Sequence, residues 1–314
     1  MKTAVVIVSF NSSAYLSKCL ACVDNQTWSP DRIIVVDNHS TDEASTDQLE
    51  TLTGVQLIRL NENLGYGGAI NRAADELSDF DFMATLNPDA FPEPRWLEQL
   101  MTAAARYPTC GSFASLTLQA HDRSKIDGAG DVLHFSGIPW RRYHNRSVIS
   151  TNLCDMPVFS ACAGAALYRL NRFRQVGGFD ESLFMYVEDI DLGFRLQLAG
   201  APCRFVSSAV AEHIGSASTG VDSEFAVYHG HRNLTSTYLK NMPTLLLVLT
   251  LPAHILACVL TILALAARGR LASICRAKVD ALIEAPRRLA QRNPANNAVS
   301  SGYIWQQLTK SPIR

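Results

Sequence analysis

Residues 3–11 read TAVVIVSFN, an apolar, largely β-branched run that closes on Ser9, Phe10 and Asn11. A strand with one face in water alternates apolar and polar residues. An unbroken run belongs to a strand buried on both faces, as in a parallel sheet. The signature returns in DRIIVVDNHS (31–40), VQLIRLNEN (55–63) and FDFMATLNPDA (80–90). Between the runs, SAYLSKCLACVDNQ (13–26) places Leu16, Leu20 and Val23 at helical spacing, and GGAINRAADEL (67–77) is helical too. Strands alternating with helices predict an α/β protein with a doubly wound sheet. Each strand ends in a polar cluster: Ser9 to Asn11, Asp37 to Ser40, Asn61 to Asn63, and Asn87 to Asp89. Open α/β sheets bind ligands at those ends, so four clusters in register predict one shared site.

The chain has 314 residues, 47% apolar and 18% charged, enough for one large domain or a domain with an appendage. The net charge of −1 is uneven: residues 268–314 carry nine Lys/Arg against two Asp/Glu, a surplus of +7, and the rest carries −8. An acidic body argues against nucleic acid as a partner. Eight cysteines are scattered among apolar residues, and the lone C-x-x-C, Cys19 and Cys22, sits in a helical stretch. They are expected to be buried free thiols in a reducing compartment. The β-branched start is expected to be a core strand and no signal peptide, which leaves the body in the cytosol.

Further along, GSFASLTLQ (111–119) reads as a strand, residues 121–147 as a loop-rich hairpin region, and VFSACAGAALYRL (158–170) as a return to the core. APCRFVSSAVAEHIG (201–215) reads as a late strand presenting His213. FMYVEDIDLG (184–193) packs Glu188, Asp189 and Asp191 into an apolar setting, where a helix is expected to start near Glu188 and to stop at Gly200. Carboxylates suit the first turn of a helix, and Asp191 can pair with Arg195 one turn on. One reading is therefore an acid-rich helix start with one salt bridge. The other is a general base at the mouth of a pocket, its proton affinity raised by its neighbours.

VVIVSFN (5–11), IIVVDNHSTD (33–42), NENLGYGGAIN (61–71), ATLNPDA (84–90) and GGFDESLFMYVEDIDLGFRLQLAG (177–200) occur in an order that resembles family 2 glycosyltransferases of the GT-A fold, above all bacterial rhamnosyltransferase-type members. The resemblance covers about residues 3–235. It implies transfer of a sugar from a nucleotide diphosphate to an acceptor hydroxyl. Ser9 and Asn11 would line the base and ribose pocket, with Asp37 accepting from the base and Asp42 assisting. Gly65 and Gly67 would let backbone N–H groups approach phosphate, and Arg232 would contact the diphosphate. NPDA resembles the family's metal-binding motif with Asn87 in place of its first acid. Asp89, joined by His213, would then hold Mg²⁺ or Mn²⁺. Asp189 matches the expected base, with Glu188 and Asp191 orienting acceptor and base, and a single base implies inversion. Ser216 and Ser218 would line a closing loop. The order Gly65-x-Gly67-x-x-Ile70 lacks the third glycine of a dinucleotide fingerprint and follows the third strand, so NAD binding is rejected. A nucleotidyltransferase would need a glycine-rich first loop, which VSFNSSAYLSK lacks. A non-catalytic membrane-anchored scaffold would not need Asp89, Glu188 and Asp189.

Residues 244–267 carry no formal charge and are long enough to cross a bilayer, although Pro252 and His254 interrupt the apolar run. A single crossing would carry the basic tail out of the cytosol, against the positive-inside tendency. Residues 269–292 interleave Leu271, Ile274, Leu282 and Leu289 with cations, as a helix lying on anionic lipid does. Packing on the catalytic domain or a dimer interface are the plainer readings. The expectation is a catalytic domain over 1–240 and a membrane-associating appendage over 241–314, at the cytoplasmic face of a bacterial inner membrane. It would act with a dTDP- or UDP-sugar, rhamnose first, on a saccharide or polyprenyl-linked acceptor for surface polysaccharide. PWRRYHNR (139–146) stays open between a contact to lipid phosphate and a solvated loop.

Overall fold

The four apolar runs become four parallel strands. In the computed structural model, which describes residues 1–50, 52–215, 223–292 and 298–311, the first half runs β1 (Thr3–Ser9), α1 (Ser13–Asp24), β2 (Arg32–Asp37), α2 (Glu43–Glu50), β3 (Gln56–Arg59), α3 (Gly65–Asp75) and β4 (Phe82–Leu86). There follow β5 (Ala90–Pro92), α4 (Trp96–Arg106), β6 (Ser112–Gln119), β7 (Asp122–Ala129), β8 (Asp131–Leu133), β9 (Pro139–Arg141), β10 (Met156–Val158) and β11 (Ala165–Arg169). The chain ends with α5 (Leu170–Gln175), α6 (Glu188–Leu198), β12 (Cys203–His213), α7 (Glu224–Asn241), α8 (Thr244–Ala267), α9 (Leu271–Ala290) and α10 (Ser301–Gln307).

The sheet order is β10-β12-β6-β11-β4-β1-β2-β3, with β5 beside β12 and β7 beside β6. β11 is antiparallel to both β4 and β6, and β12 is parallel to β6, so β12 points the same way as β1, β2, β3 and β4. This puts His213, the last residue of β12, at the same sheet edge as Ser9, Asp37 and the turn after β4. Ala90 pairs directly with His213 there. The continuous apolar runs are explained by cover on both faces. Val6, Val8, Ile34 and Val36 face one core with α3, while Val5, Ile7 and Val35 face another with Leu16, Leu97 and Trp96.

α6 begins at Glu188 as expected and closes on Gly200 (φ 69°), with Gly200 N–H bonded to Gln197 and Ala201 N–H to Leu196. Its approach was not legible in the sequence: Phe184, Tyr186 and Val187 all adopt positive φ (63°, 69° and 69°) without being glycine. Asn233 of α7, fully buried, sets its amide nitrogen 2.7–2.8 Å from the carbonyls of Leu183, Met185 and Tyr186. The Phe184 carbonyl accepts from Tyr66 N–H at 3.0 Å and lies over Gly65.

The helices after residue 240 pack on the body. α9 lies along α7, and Thr309 N–H bonds the Leu133 carbonyl. α8 is continuous through Pro252. His254 is buried by stacking on Tyr238 (ring centroids 3.9 Å apart) and by a 2.7 Å bond to Ser136 O, and Thr250 bonds Tyr238 at 2.8 Å. Cys154 and Cys275 are exposed, contrary to the expected burial of the cysteines, and all eight thiols are free.

A Cβ on Gly65 would sit 2.1 Å from Phe184 O, and its φ is 72°. Gly65→Ala is therefore expected to cost about 2–4 kcal/mol from left-handed strain and overlap. Urea denaturation measures it; an unchanged midpoint would show that the 184–187 turn yields without cost.

Candidate active site

Among the loops at the sheet edge, the first cluster is built by hydrogen bonds. Asn11 (φ 49°) accepts from Thr41 N–H at 2.8 Å and Asp42 N–H at 3.3 Å, which ties the end of β1 to the loop after β2. Asp37, buried, accepts from Ser40 N–H at 2.9 Å, and Asp42 caps α2 through Ser45 N–H at 2.7 Å. Ser9 is fully buried and bonded to Ser12 at 2.8 Å, so its hydroxyl supports this wall from behind. These four residues lie together, as the sequence implied.

The second cluster joins the turn after β4 to the end of β12. Asp89 and His213 are both buried, with His213 Nε2 at 3.5 Å from Asp89 Oδ1. His213 Nδ1 lies 2.9 Å from Asp127 Oδ2, and Arg141 Nη1 donates to both Asp127 oxygens at 2.7 and 2.8 Å. Burial alone would lower the imidazole pKa, but the bonds to Asp127 and Asp89 outweigh it and raise it to about 9. Burial likewise pushes the Asp127 carboxyl up, and His213 and Arg141 bring it down to about 2. Asn87 packs its amide against Gly164.

The third cluster is the start of α6. Glu188 is buried, and burial followed by the charge of Asp189 raises its pKa to about 8; its Oε2 has no hydrogen-bond partner among the described residues. Asp189 is only half-buried and accepts from Ile190 N–H at 2.8 Å. Burial raises its proton affinity, while Ile190 N–H and the charge of Arg141 pull it back. Asp131, bonded to Ser160 at 3.0 Å, is raised to about 8 by burial and then by Asp189. Arg141 is bonded to Asp127 and lies in the field of Asp131 and Asp189 as well. Asp127, Asp131 and Arg141 went unassigned in the sequence; the signal was IDGAGDVL, two acids around Gly-Ala-Gly in an otherwise irregular stretch.

Three assignments need correction. Asp191 is fully buried on the other side of α6, 200° around the helix from Asp189 at about 100° per residue, and holds Arg195 (2.8 Å), Lys240 (2.9 Å) and Asn241 (2.7 Å). Burial raises its carboxyl, but Arg195 and Lys240 win and hold it below the usual range. It anchors α6 to α7. Gly65 and Gly67 are required by packing, with Phe184 O and Phe179 Cβ where their side chains would be, and the N–H groups of Gly65 and Tyr66 are already bonded to Asn63 and Phe184. Arg232 braces the turn before α6 through Ser182 O (3.0 Å) and Asn233 (2.9 Å). Ser216 and Ser218 lie outside the described residues. A cavity of about 720 Å³ at the far end of α6 is lined by Arg195, Lys240 and Arg292. Those cations are already paired with Asp191, Asp180 and the carbonyls of Leu239 and Met242, so it offers no unspent charge.

No group of three or more His, Cys, Asp or Glu among the described residues is arranged to hold a metal ion alone. Asp89 and His213 supply one oxygen and one nitrogen, too few for a free ion. They fit a divalent cation that brings diphosphate and water oxygens with it.

A model described as glycosyl transferase family 2 matches residues 4–176, and one described as glycosyl transferase family group 2 matches residues 128–270. The N-acetylglucosaminyl-diphospho-decaprenol L-rhamnosyltransferase of Mycobacterium tuberculosis is 31% identical over 260 residues, 75% of this chain and 82% of the relative. Rhamnosyltransferase WbbL of Escherichia coli (strain K12) is 31% identical over 145 residues, 43% of this chain and 53% of the relative. The fold is similar to that of GalNAc-T7, solved with UDP, GalNAc and Mn²⁺ (TM-score 0.61, 16% identity, 76% of this chain and 48% of that one). Sheet, edge cluster and relatives agree: the chain belongs to the family 2 glycosyltransferases, as an enzyme with the GT-A fold.

Proposed function

We propose that the protein transfers a sugar, rhamnose as the leading candidate, from a dTDP- or UDP-linked donor to a hydroxyl of a lipid-linked saccharide, with inversion, in bacterial surface polysaccharide synthesis. The observation that carries this is the edge cluster itself: Asp89 beside His213, His213 bonded to Asp127 and Asp127 to Arg141, with the partly exposed Asp189 at the start of α6. The relative that acts on an N-acetylglucosaminyl-diphospho-decaprenol supports the lipid-linked acceptor.

In this reading the acceptor hydroxyl lies between Asp189 and the donor. Its oxygen forms the new bond to the anomeric carbon, the bond from that carbon to the diphosphate oxygen breaks, and the proton passes to Asp189. A raised proton affinity makes Asp189 a stronger base. Glu188 Oε2, without a hydrogen-bond partner among the described residues, orients the acceptor. The nucleotide lies against Asn11, Asp37 and Asp42. When bound, Mg²⁺ or Mn²⁺ held by Asp89 and His213 neutralises the leaving diphosphate.

A lipid-linked acceptor requires a lipid surface. α8 is long and apolar enough to cross a membrane by length and composition, yet Thr250 and His254 pin one side of it to the body. Its other side exposes Leu249, Leu256, Leu260 and Leu263, and α9 adds Leu282 and Ile283 beside exposed Arg276 and Arg287. An apolar stripe flanked by cations fits an anionic bilayer surface. In this reading the helices lie in the interface plane, with the enzyme at the cytoplasmic face of the inner membrane.

Asp189→Asn is expected to lower transfer by about 10²–10⁴-fold while the thermal shift given by nucleotide with Mn²⁺ persists; undiminished turnover would remove Asp189 as the base. Folded Glu188 holds its proton more tightly than the unfolded chain does. Its stabilisation is full below its unfolded pKa of about 4.5 and is lost as pH rises to about 8. Glu188→Gln should therefore flatten the fall of unfolding free energy across that window, measured by urea denaturation at several pH values; an equal slope would mean that Glu188 is ionised throughout. Finally, the protein should co-sediment with phosphatidylglycerol vesicles, less so in high salt. Leu256→Glu with Leu260→Glu should release it, and retention of that variant would move the contact elsewhere.

A further inference from the structure

We propose that Asp127, locked by Arg141, is a positioning residue for the donor's divalent cation: it fixes His213 with the proton on Nδ1 and Nε2 turned to Asp89. The inference rests on the metal-dependent reading above and adds a role for Asp127 that the reading does not assign.

The backbone aims Asp127 deliberately. Thr117 of β6 faces Gly128 of β7, but the next residue, Leu118, faces Ile126. Asp127 is the surplus residue of a β-bulge, a device that re-aims a side chain and is common beside active sites. From there the carboxylate crosses β6 to the end of β12 and meets His213 Nδ1 at 2.9 Å. Arg141 Nη1 holds both of its oxygens at 2.7 and 2.8 Å, and the Thr117 hydroxyl adds a 3.3 Å contact. The carboxylate is buried, so it cannot swing to solvent.

The chemistry follows from donor and acceptor inventory. An ionised carboxylate only accepts, so Nδ1 must carry a proton. Without metal both ring nitrogens face carboxylates; a bound cation would take the place of the Nε2 proton, on the nitrogen 3.5 Å from Asp89 Oδ1, and leave the proton on Nδ1. A carboxylate behind a histidine fixes both tautomer and ring orientation of a metal ligand.

The test is Mn²⁺ affinity in the presence of saturating UDP or dTDP, whichever the wild type binds, read from the electron paramagnetic resonance signal of free Mn²⁺. Asp127→Ala should weaken Mn²⁺ by about 10–100-fold and leave metal-free nucleotide binding near wild type, while loss of the buried pair with Arg141 lowers the urea midpoint of folding. Asp127→Asn keeps an acceptor for Nδ1–H and should recover part of the loss. Should the alanine variant fail to fold, ¹⁵N spectra of the wild type decide: His213 Nδ1 must stay protonated while Mg²⁺ with nucleotide shifts Nε2. Unchanged Mn²⁺ affinity in Asp127→Ala, or a proton on Nε2 in the loaded protein, overturns the positioning role alone. A wild type that holds no Mn²⁺ with either nucleotide overturns the metal-dependent reading and this inference together.

Discussion

The start of α6 stands where it does because the chain before it is held in a conformation its residues disfavour. Positive φ at Phe184, Tyr186 and Val187 costs on the order of 1–3 kcal/mol each. One buried amide cannot offset that, since a hydrogen bond contributes about 1 kcal/mol net. The turn therefore draws on several partners at once. Asn233 holds three carbonyls, Tyr66 N–H a fourth, and Asp180, just upstream, is clamped by Lys240 at 2.6 Å and Arg288 at 3.2 Å. Gly65 leaves room for the Phe184 carbonyl, and Asp191 ties the helix to α7 from the opposite side. The result is a helix whose first two side chains, Glu188 and Asp189, are aimed by the whole C-terminal half of the protein.

Those two side chains enter a strongly acidic neighbourhood, and Arg141 makes it tolerable. Asp127, Asp131 and Asp189 lie within its field, and each acid answers differently. Asp127, in direct contact, stays ionised. Asp131, without a cationic partner in hydrogen-bond contact, rises to about 8. Asp189 is raised by burial and drawn back by its own helix N–H and by Arg141. Groups of one chemistry are thus spread over a range of proton affinities by burial and by one guanidinium, which is how acid and base roles separate at a single pH.

The parallel strands were legible because an apolar run covered on both faces leaves no alternation to misread, and the strand-end clusters were legible because parallel strands share an edge. The helix start at Glu188 and its closure at Gly200 were legible from local chemistry, and so was the Asp191–Arg195 pair. The function of Asp191 was not: two residues from Asp189, it lies on the opposite face, and its partners Lys240 and Asn241 are about fifty residues away. The glycines of NLGYGGAIN misled for the same reason, since what they make room for is Phe184 and Phe179, over a hundred residues on. Asp127 and Arg141 were hidden in a stretch without periodicity. A bulge has no period, and the contact it creates, to His213, spans two strands of the folded sheet.

The C-terminal helices then connect the catalytic edge to the surface that faces lipid in the proposed setting. α7 carries Arg232 and Asn233 against the turn before α6 and Tyr238 against His254 of α8. α9 reaches the same turn directly. Arg288, fully buried, bonds Ser182 at 2.8 Å and Asp180 at 3.2 Å, while Leu282 and Ile283 on that helix remain exposed. Five or six positions along α9 thus separate the apolar stripe from the contacts that hold the turn before α6. The height and tilt of Asp189 above a bilayer would be set by packing instead of by a flexible tether. For an acceptor confined to a membrane plane, that removes orientational freedom before the donor and acceptor meet, and such freedom is otherwise lost at the transition state.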